Sequence, residues 1–209
     1  MKFGRIWLVL ALVIIAGAAV YIFLSSRGNT QTYDGTELSG EAQDFQLTDQ
    51  NDALVSLSDF RGKVVVLTFM DTKCQDTCPL TAAHFREVYR ELKPDEVSQV
   101  VFLGVNVNVE ESTVEDVSEA THTWRLDEIS SWHFLTGTHE VLEPVWKDYG
   151  AAAAHSLDGN SIMHTPGTFL IDQFGQKRWY ISTPFSNEAV DLTLPLSELL
   201  LKRIHELLL

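Results

Sequence analysis

Cysteine is nearly absent from this chain: there are two in 209 residues, Cys74 and Cys78. With no others, a structural zinc site built on four thiolates is excluded. Basic residues are also scarce, 15 lysines and arginines against 29 acidic residues, for a formal net charge of −14. Such a surface repels phosphate backbones and anionic head groups, which argues against nucleic acid as a partner. There is no internal repeat, and low complexity is confined to Ala151–Ala154. Charge is missing altogether from Ile6–Leu24, nineteen residues of Ile, Leu, Val, Ala, Gly and aromatics. At about 1.5 Å per helical residue such a run just spans a hydrocarbon core of roughly 30 Å. A helix with no polar face is not the helix of a soluble core. Lys2 and Arg5 precede the run, so its N-terminal end is expected in the cytoplasm and the rest of the chain outside. The alternative is a cleaved signal peptide with Ala16-Gly17-Ala18 as its site, but apolar residues continue through Val20–Leu24 beyond it. Without Lys2 and Arg5, 13 basic residues face the 29 acidic ones on the outward side.

What is present centres on Lys63–Pro79, KVVVLTFMDTKCQDTCP. The β-branched run Val64–Met70 reads as a strand buried on both faces, followed by a polar loop with both cysteines and then a helical pattern. Two sulfurs four residues apart at a strand-to-helix turn can form a disulfide or share a metal ion. A helix N-terminus carries partial positive charge and free N–H groups, which favours thiolate over thiol. The thiolate is both the nucleophile and the metal ligand.

The remaining elements follow from periodicity and punctuation. Residues 1–27 are expected as anchor and 28–40 as a flexible, Gly/Ser/Thr-rich linker. Asp44–Leu47 and Leu54–Leu57 read as a hairpin around Asp49–Asp52. Leu80–Lys93 has helical spacing and stops at Pro94; Val100–Val105 is a second buried strand. Ser112 with Glu115 reads as a capping box before the helix carrying Val114, Val117, Thr121 and Trp124. Trp132–Leu135 is a short strand, and Thr138 opens a helix that Gly150 stops. Ala151–Ser161 reads as a loop, Thr168–Asp172 and Lys177–Ser182 as a hairpin, and Pro195–Leu208 as a closing amphipathic helix. Strands alternating with helices predict an α/β domain over 41–209, a central sheet made mixed by its closing hairpin and flanked by helices on both faces.

Four pieces of this chain resemble a thioredoxin-like domain and, within that superfamily, the Sco/SenC proteins. They are Phe45-x-Leu47 leading to Leu57-Ser58-Asp59-Phe60-Arg61-Gly62-Lys63-Val64-Val65; Thr72-x-Cys74-x-x-x-Cys78-Pro79 with Asp76 inside it; Phe134-Leu135-Thr136-Gly137; and His164 shortly before Phe169-Leu170-Ile171-Asp172. The second piece is similar to the family's copper-binding loop and is the most specific. Ordinary thioredoxins place two residues between their cysteines, not three. The resemblance implies a thioredoxin-like fold, a copper ion as cargo, Cys74, Cys78 and His164 as its ligands, and a redox-active Cys74–Cys78 disulfide. The sequence departs from the family at Asn106, where an aspartate is usual, and at His164-Thr165-Pro166-Gly167-Thr168, which is similar to the cis-proline turn of thioredoxins.

Two thiolates and one imidazole form a soft donor set suited to Cu(I). His155 is the reserve ligand, while His84, His122, His133, His139 and His205 lack ligand spacing. Met163, next to His164, is expected to point away from it in an extended segment. The resemblance implies a membrane-anchored protein on the extracytoplasmic side that assists metallation of cytochrome c oxidase, its partner being the oxidase copper subunit. The alternative is a thiol-disulfide oxidoreductase acting on another extracytoplasmic thiol protein. A thiol peroxidase fits less well, because Thr72-Lys73-Cys74 lacks the proline-threonine setting of that chemistry.

Overall fold

The structure is a computed structural model, and it describes residues 34–151, 153–155, 162–164, 167–182 and 195–208, with Gly17 alone before them. The chain divides into two units, Met1–Tyr33 and Asp34–Leu209. The expected anchor, Ile6–Leu24, lies outside the described residues; among those described, no helix is long and apolar enough to cross a membrane.

The centre is β4 (Val64–Met70), buried along its whole length. It pairs in parallel with β5 (Val100–Asn106), equally buried, from Val64↔Val100 to Met70↔Asn106. Beyond β5 lies β6 (Trp132–Leu135), also parallel. On the other side β9 (Thr168–Ile171) runs antiparallel to β4, then β10 (Lys177–Ile181), then β1 (Thr36–Glu37), completing a six-stranded mixed sheet. β1 falls within the 28–40 stretch expected as linker. Thr36 pairs with Tyr180, and Asp34 takes Lys202 and Arg203 in ion pairs, so the folded unit starts at Asp34.

Side chains of β4 alternate between two layers, as a pleated strand requires. Val65, Leu67 and Phe69 join Val101, Leu103 and Val105 under the hairpin of β2 (Gln46–Thr48) and β3 (Leu54–Ser56) and under the helix α3 (His139–Asp148). The opposite face receives α1 (Thr77–Glu91), α2 (Val114–Thr123) and α4 (Leu196–Leu208). Phe85 of α1, fully buried, packs against Phe102 and Trp132 with ring centroids 5.5 and 6.4 Å apart. Gly104 on β5 leaves room for the Trp132 ring, which a Cβ there would meet at 2.7 Å. At the sheet's outer edge, Gln50 donates to the carbonyl of Trp132 and accepts from the N–H of Phe134, covering a strand edge that would otherwise be open.

Three local readings shift. The first helix starts at Thr77 instead of Leu80, because proline is tolerated in a first turn, where its missing N–H has no partner to lose. The capping box is Thr113 with Asp116, one residue past the Ser112–Glu115 pair. The 151–161 stretch is not wholly loop: β7 (Ala153–His155) pairs with β8 (Ile162–His164), Ala153 opposite His164. The turn at Thr165–Pro166 lies outside the described residues.

Candidate metal and thiol site

The register Met70↔Asn106 brings the loops after β4 and β5 out of the same end of the sheet, side by side. In open α/β sheets this is where ligands bind. The first loop carries Cys74, and α1 begins within it. Asp71 starts the turn: its carbonyl accepts from the N–H of Cys74 at 3.0 Å, and its Oδ1 accepts from that of Lys73 at 2.9 Å. Asp76 stands before the helix and accepts from the N–H of Thr77 at 2.6 Å. Cys78 then falls in the first helical turn.

Cys74 and Cys78 are both free thiols and lie together. The N–H of Cys78 donates to Sγ of Cys74 at 3.3 Å, so the sulfur takes up one of the helix's unpaired N-terminal donors. Thr77 Oγ1 is 3.4 Å from the same sulfur. The hydrogen bond from the Cys78 thiol, helped by Thr77 and by the Cys78 N–H, pulls the Cys74 thiol down to about 6 although burial opposes it. Oδ1 of Asp76 lies 3.2 Å away, accepting a hydrogen bond from the thiol and facing the thiolate as a like charge. Four donors, the backbone N–H of Asp76 among them, against one carboxylate leave the balance on the thiolate side. Cys78 goes the opposite way: its hydrogen bond to Cys74, its burial and the neighbouring Cys74 charge hold its thiol well above the usual cysteine range. The pair thus consists of a partly exposed thiolate and a buried thiol at 3% exposure.

A buried polar network underlies the cysteine loop. Asn108 donates to Asp71 Oδ1 at 2.8 Å and accepts from the N–H groups of Glu110 and Glu111. Asn106, fully buried, accepts from the N–H of Asn108 and donates to the carbonyls of Asn108 and Glu111. Thr72 Oγ1 donates to that same Glu111 carbonyl at 3.1 Å. The amide of Asn106 thus shapes the second loop. Sequence reasoning marked Asn106 only as a departure and missed Asn108 and Asp71. The available signal was Asn-x-Asn after a buried strand, since asparagine side chains bond their own backbone two residues on.

The SCO1/SenC family model matches residues 34–192. The chain belongs to the SCO1/SenC family. The SCO1 protein homolog of Bacillus subtilis is 24% identical over 164 residues, covering 78% of this chain and 83% of that protein. The structure of Bradyrhizobium japonicum ScoI with copper bound superposes with a TM-score of 0.62 at 23% identity, over 80% of this chain and 99% of that one. BsSco, a Sco protein of cytochrome c oxidase assembly in which a disulfide switch was identified, superposes at 0.63 with 21% identity, over 82% and 95%. The architecture of this family member is the mixed, thioredoxin-like α/β fold.

Of the three expected ligands, the structure brings Cys74 and Cys78 together. His164 ends β8, and its side chain lies outside what is described, as does that of His155. The five histidines set aside each face a carboxylate: His84 with Glu87, His122 with Asp127, His133 with Asp49, His139 with Glu143 and His205 with Glu96. Among the described residues no group of three or more His, Cys, Asp or Glu forms a metal cluster. The soft pair of sulfurs nevertheless fits Cu(I), one of the metals that thiolates select.

Proposed function

We propose that this chain is a membrane-anchored, extracytoplasmic copper carrier that takes one Cu(I) on Cys74, Cys78 and His164 and passes it to the copper subunit of cytochrome c oxidase. The observation that carries this reading is the Cys74–Cys78 pair itself: two free thiols at the end of the central strand, one of them held near its thiolate form, in a family with a copper-bound member. Metal binding must displace the proton held on Cys78, and two thiolates suit a monovalent soft ion. His164 is supported by chain geometry. Thr168 pairs with Thr68, and Thr68 Oγ1 donates to the carbonyl of Gly167 at 3.0 Å. His164 is four residues before Thr168 and so within about 14 Å of it, the reach of four extended residues, and Thr168 is itself paired with Thr68, two residues inside the end of β4 that launches the cysteine loop. The anchor reading rests on Ile6–Leu24, with the residues before Asp34 as tether.

A second reading is favoured by the unequal thiols. In a thiol-disulfide oxidoreductase, the Cys74 thiolate attacks a partner disulfide, one partner thiol leaves, and Cys78 then displaces the second as the Cys74–Cys78 bond forms. Copper stoichiometry separates the two readings. Reduced protein should bind one Cu(I) per chain, and Cys74→Ser, Cys78→Ser and oxidised protein should not hold it against a competing chelator. Reduced protein that binds no copper but reduces protein disulfides would establish the second reading instead.

A further inference from the structure

Beside Cys74 lies a groove of about 210 Å³, walled by Lys73, Cys74 and Gln75 on one side and by Asp116, Glu119 and Trp124 of α2 and its C-terminal cap on the other. We propose that this groove seats a segment of the partner protein that carries a lysine or arginine next to its sulfur donor, with Glu119 receiving the cation. The inference rests on the reading above that Cys74 is the atom a partner must reach, and it deepens that reading by naming the partner's chemistry.

The charges in the groove are not equivalent. Lys73 faces Glu111, 3.7 Å away, and its charge also acts on Asp116, so it is already matched. Asp116 Oδ2 accepts from both the N–H and the hydroxyl of Thr113, which ties it to the helix cap. Glu119 is exposed and makes no ion pair among the described residues. Trp124, 7% exposed, closes the floor with an aromatic surface, against which the aliphatic stem of a long cationic side chain packs well. Cys78 is buried and Cys74, only partly covered, lines the groove, so an incoming sulfur meets Cys74 first. The cavity takes side chains, not a folded domain. Among the groove's lining residues Glu119 and Asp116 stand against the single cation Lys73, which already faces Glu111, so an anionic segment would meet the unmatched Glu119 as a like charge and a cationic one is attracted by it.

The test uses small disulfides of defined charge on the fully reduced protein: cystamine, a dication; bis(2-hydroxyethyl) disulfide, neutral; and dithiodiglycolate, a dianion. The Cys74 thiolate attacks one sulfur, the probe's S–S bond breaks, one thiol leaves, and Cys78 then releases the second as the Cys74–Cys78 disulfide forms. Rates are compared for wild type, Glu119→Lys and Glu91→Lys. Glu91 makes the same charge change at the far end of α1, about 20 Å along the helix from Cys78. At an ionic strength of about 0.1 M the Debye length is about 10 Å, so the distant site is screened and the near one is not. Glu119→Lys should lower the cystamine-to-dithiodiglycolate rate ratio about fivefold, Glu91→Lys less than twofold, and the Glu119 effect should vanish near 1 M salt. Equal effects of the two variants would show a field of the whole protein and overturn the groove; so would an unchanged ratio in Glu119→Lys, or no reaction of Cys74 with any probe. Cu(I) stoichiometry measured on Glu119→Lys keeps the two proposals apart: one Cu(I) with an unchanged rate ratio removes the groove and leaves the copper reading, and loss of copper from wild type itself removes the latter alone.

Discussion

Asn108 donates from Nδ2 to Oδ1 of Asp71 across 2.8 Å, joining the loop after β5 to the turn that presents Cys74. Both residues are buried, at 7% and 2% exposure, so neither can exchange this partner for water. Replacing Asn108 with alanine removes that bond and also frees the N–H groups of Glu110 and Glu111. A buried group left unpaired costs about 1–3 kcal/mol. Urea unfolding of Asn108→Ala should show a loss in that range, and a loss below about 0.5 kcal/mol would mean the two loops are not coupled through this contact.

The thiol asymmetry sets a pH signature. Because the Cys74 thiol is pulled down to about 6, its alkylation by iodoacetamide should rise with pH to a plateau, with a midpoint near 6. A free cysteine shows that midpoint near 8.5. The same shift links to stability. A thiol whose folded value is depressed adds stability that is fully present above the unfolded value and lost as pH falls through the folded one. Reduced protein should therefore gain stability between about pH 6 and 8.5, and Cys74→Ser should not. An alkylation midpoint near 8.5 would contradict the hydrogen bonding described around Sγ.

Gly104 is fixed by the Trp132 ring lying across β5. Gly104→Ala forces the ring or the strand to shift, and overpacking of this kind costs about 1–3 kcal/mol. Thermal unfolding should show the loss while the Cys74 alkylation profile stays in place, because Gly104 lies two residues inside the strand end. A wild-type melting temperature in Gly104→Ala would show that the ring has room to move.

Much of this architecture is legible in the sequence where burial is complete. Val64–Met70 and Val100–Val105 are mostly apolar, β-branched runs that read as strands covered on both faces, and the helices over Phe85, Val117 and Trp146 follow from their stripes. The short elements are not legible. β1 is two exposed residues in a polar stretch, and it exists because β10 offers an edge, which no local pattern announces. β7 lies in an alanine run with no alternation to read. The candidate site was legible only as the pairing of Cys74 and Cys78, from their spacing, and not in the support beneath them. Asp71 reads as a loop aspartate until the structure shows it holding Lys73 on one side and Asn108 on the other.

The proposed membrane anchor rests on the uncharged run Ile6–Leu24 and on the basic residues before it. Full-length protein should fractionate with membranes and resist extraction at high salt, and external protease should digest the domain from intact spheroplasts. A freely soluble mature chain beginning near Val20 would contradict the anchor and favour cleavage after Ala18.

The most direct test of the copper account is a Cu(I) competition titration of reduced wild type and His164→Ala, with X-ray absorption on the loaded forms. Wild type should bind one Cu(I) with two sulfur ligands and one nitrogen ligand. His164→Ala should keep both sulfurs, lose the nitrogen, and bind more weakly by at least the roughly 10–100-fold that follows loss of a ligand's supporting contact. Equal affinity and an unchanged nitrogen signal in His164→Ala would contradict His164 as ligand and move the test to His155; absence of sulfur from the wild-type spectrum would contradict the site itself.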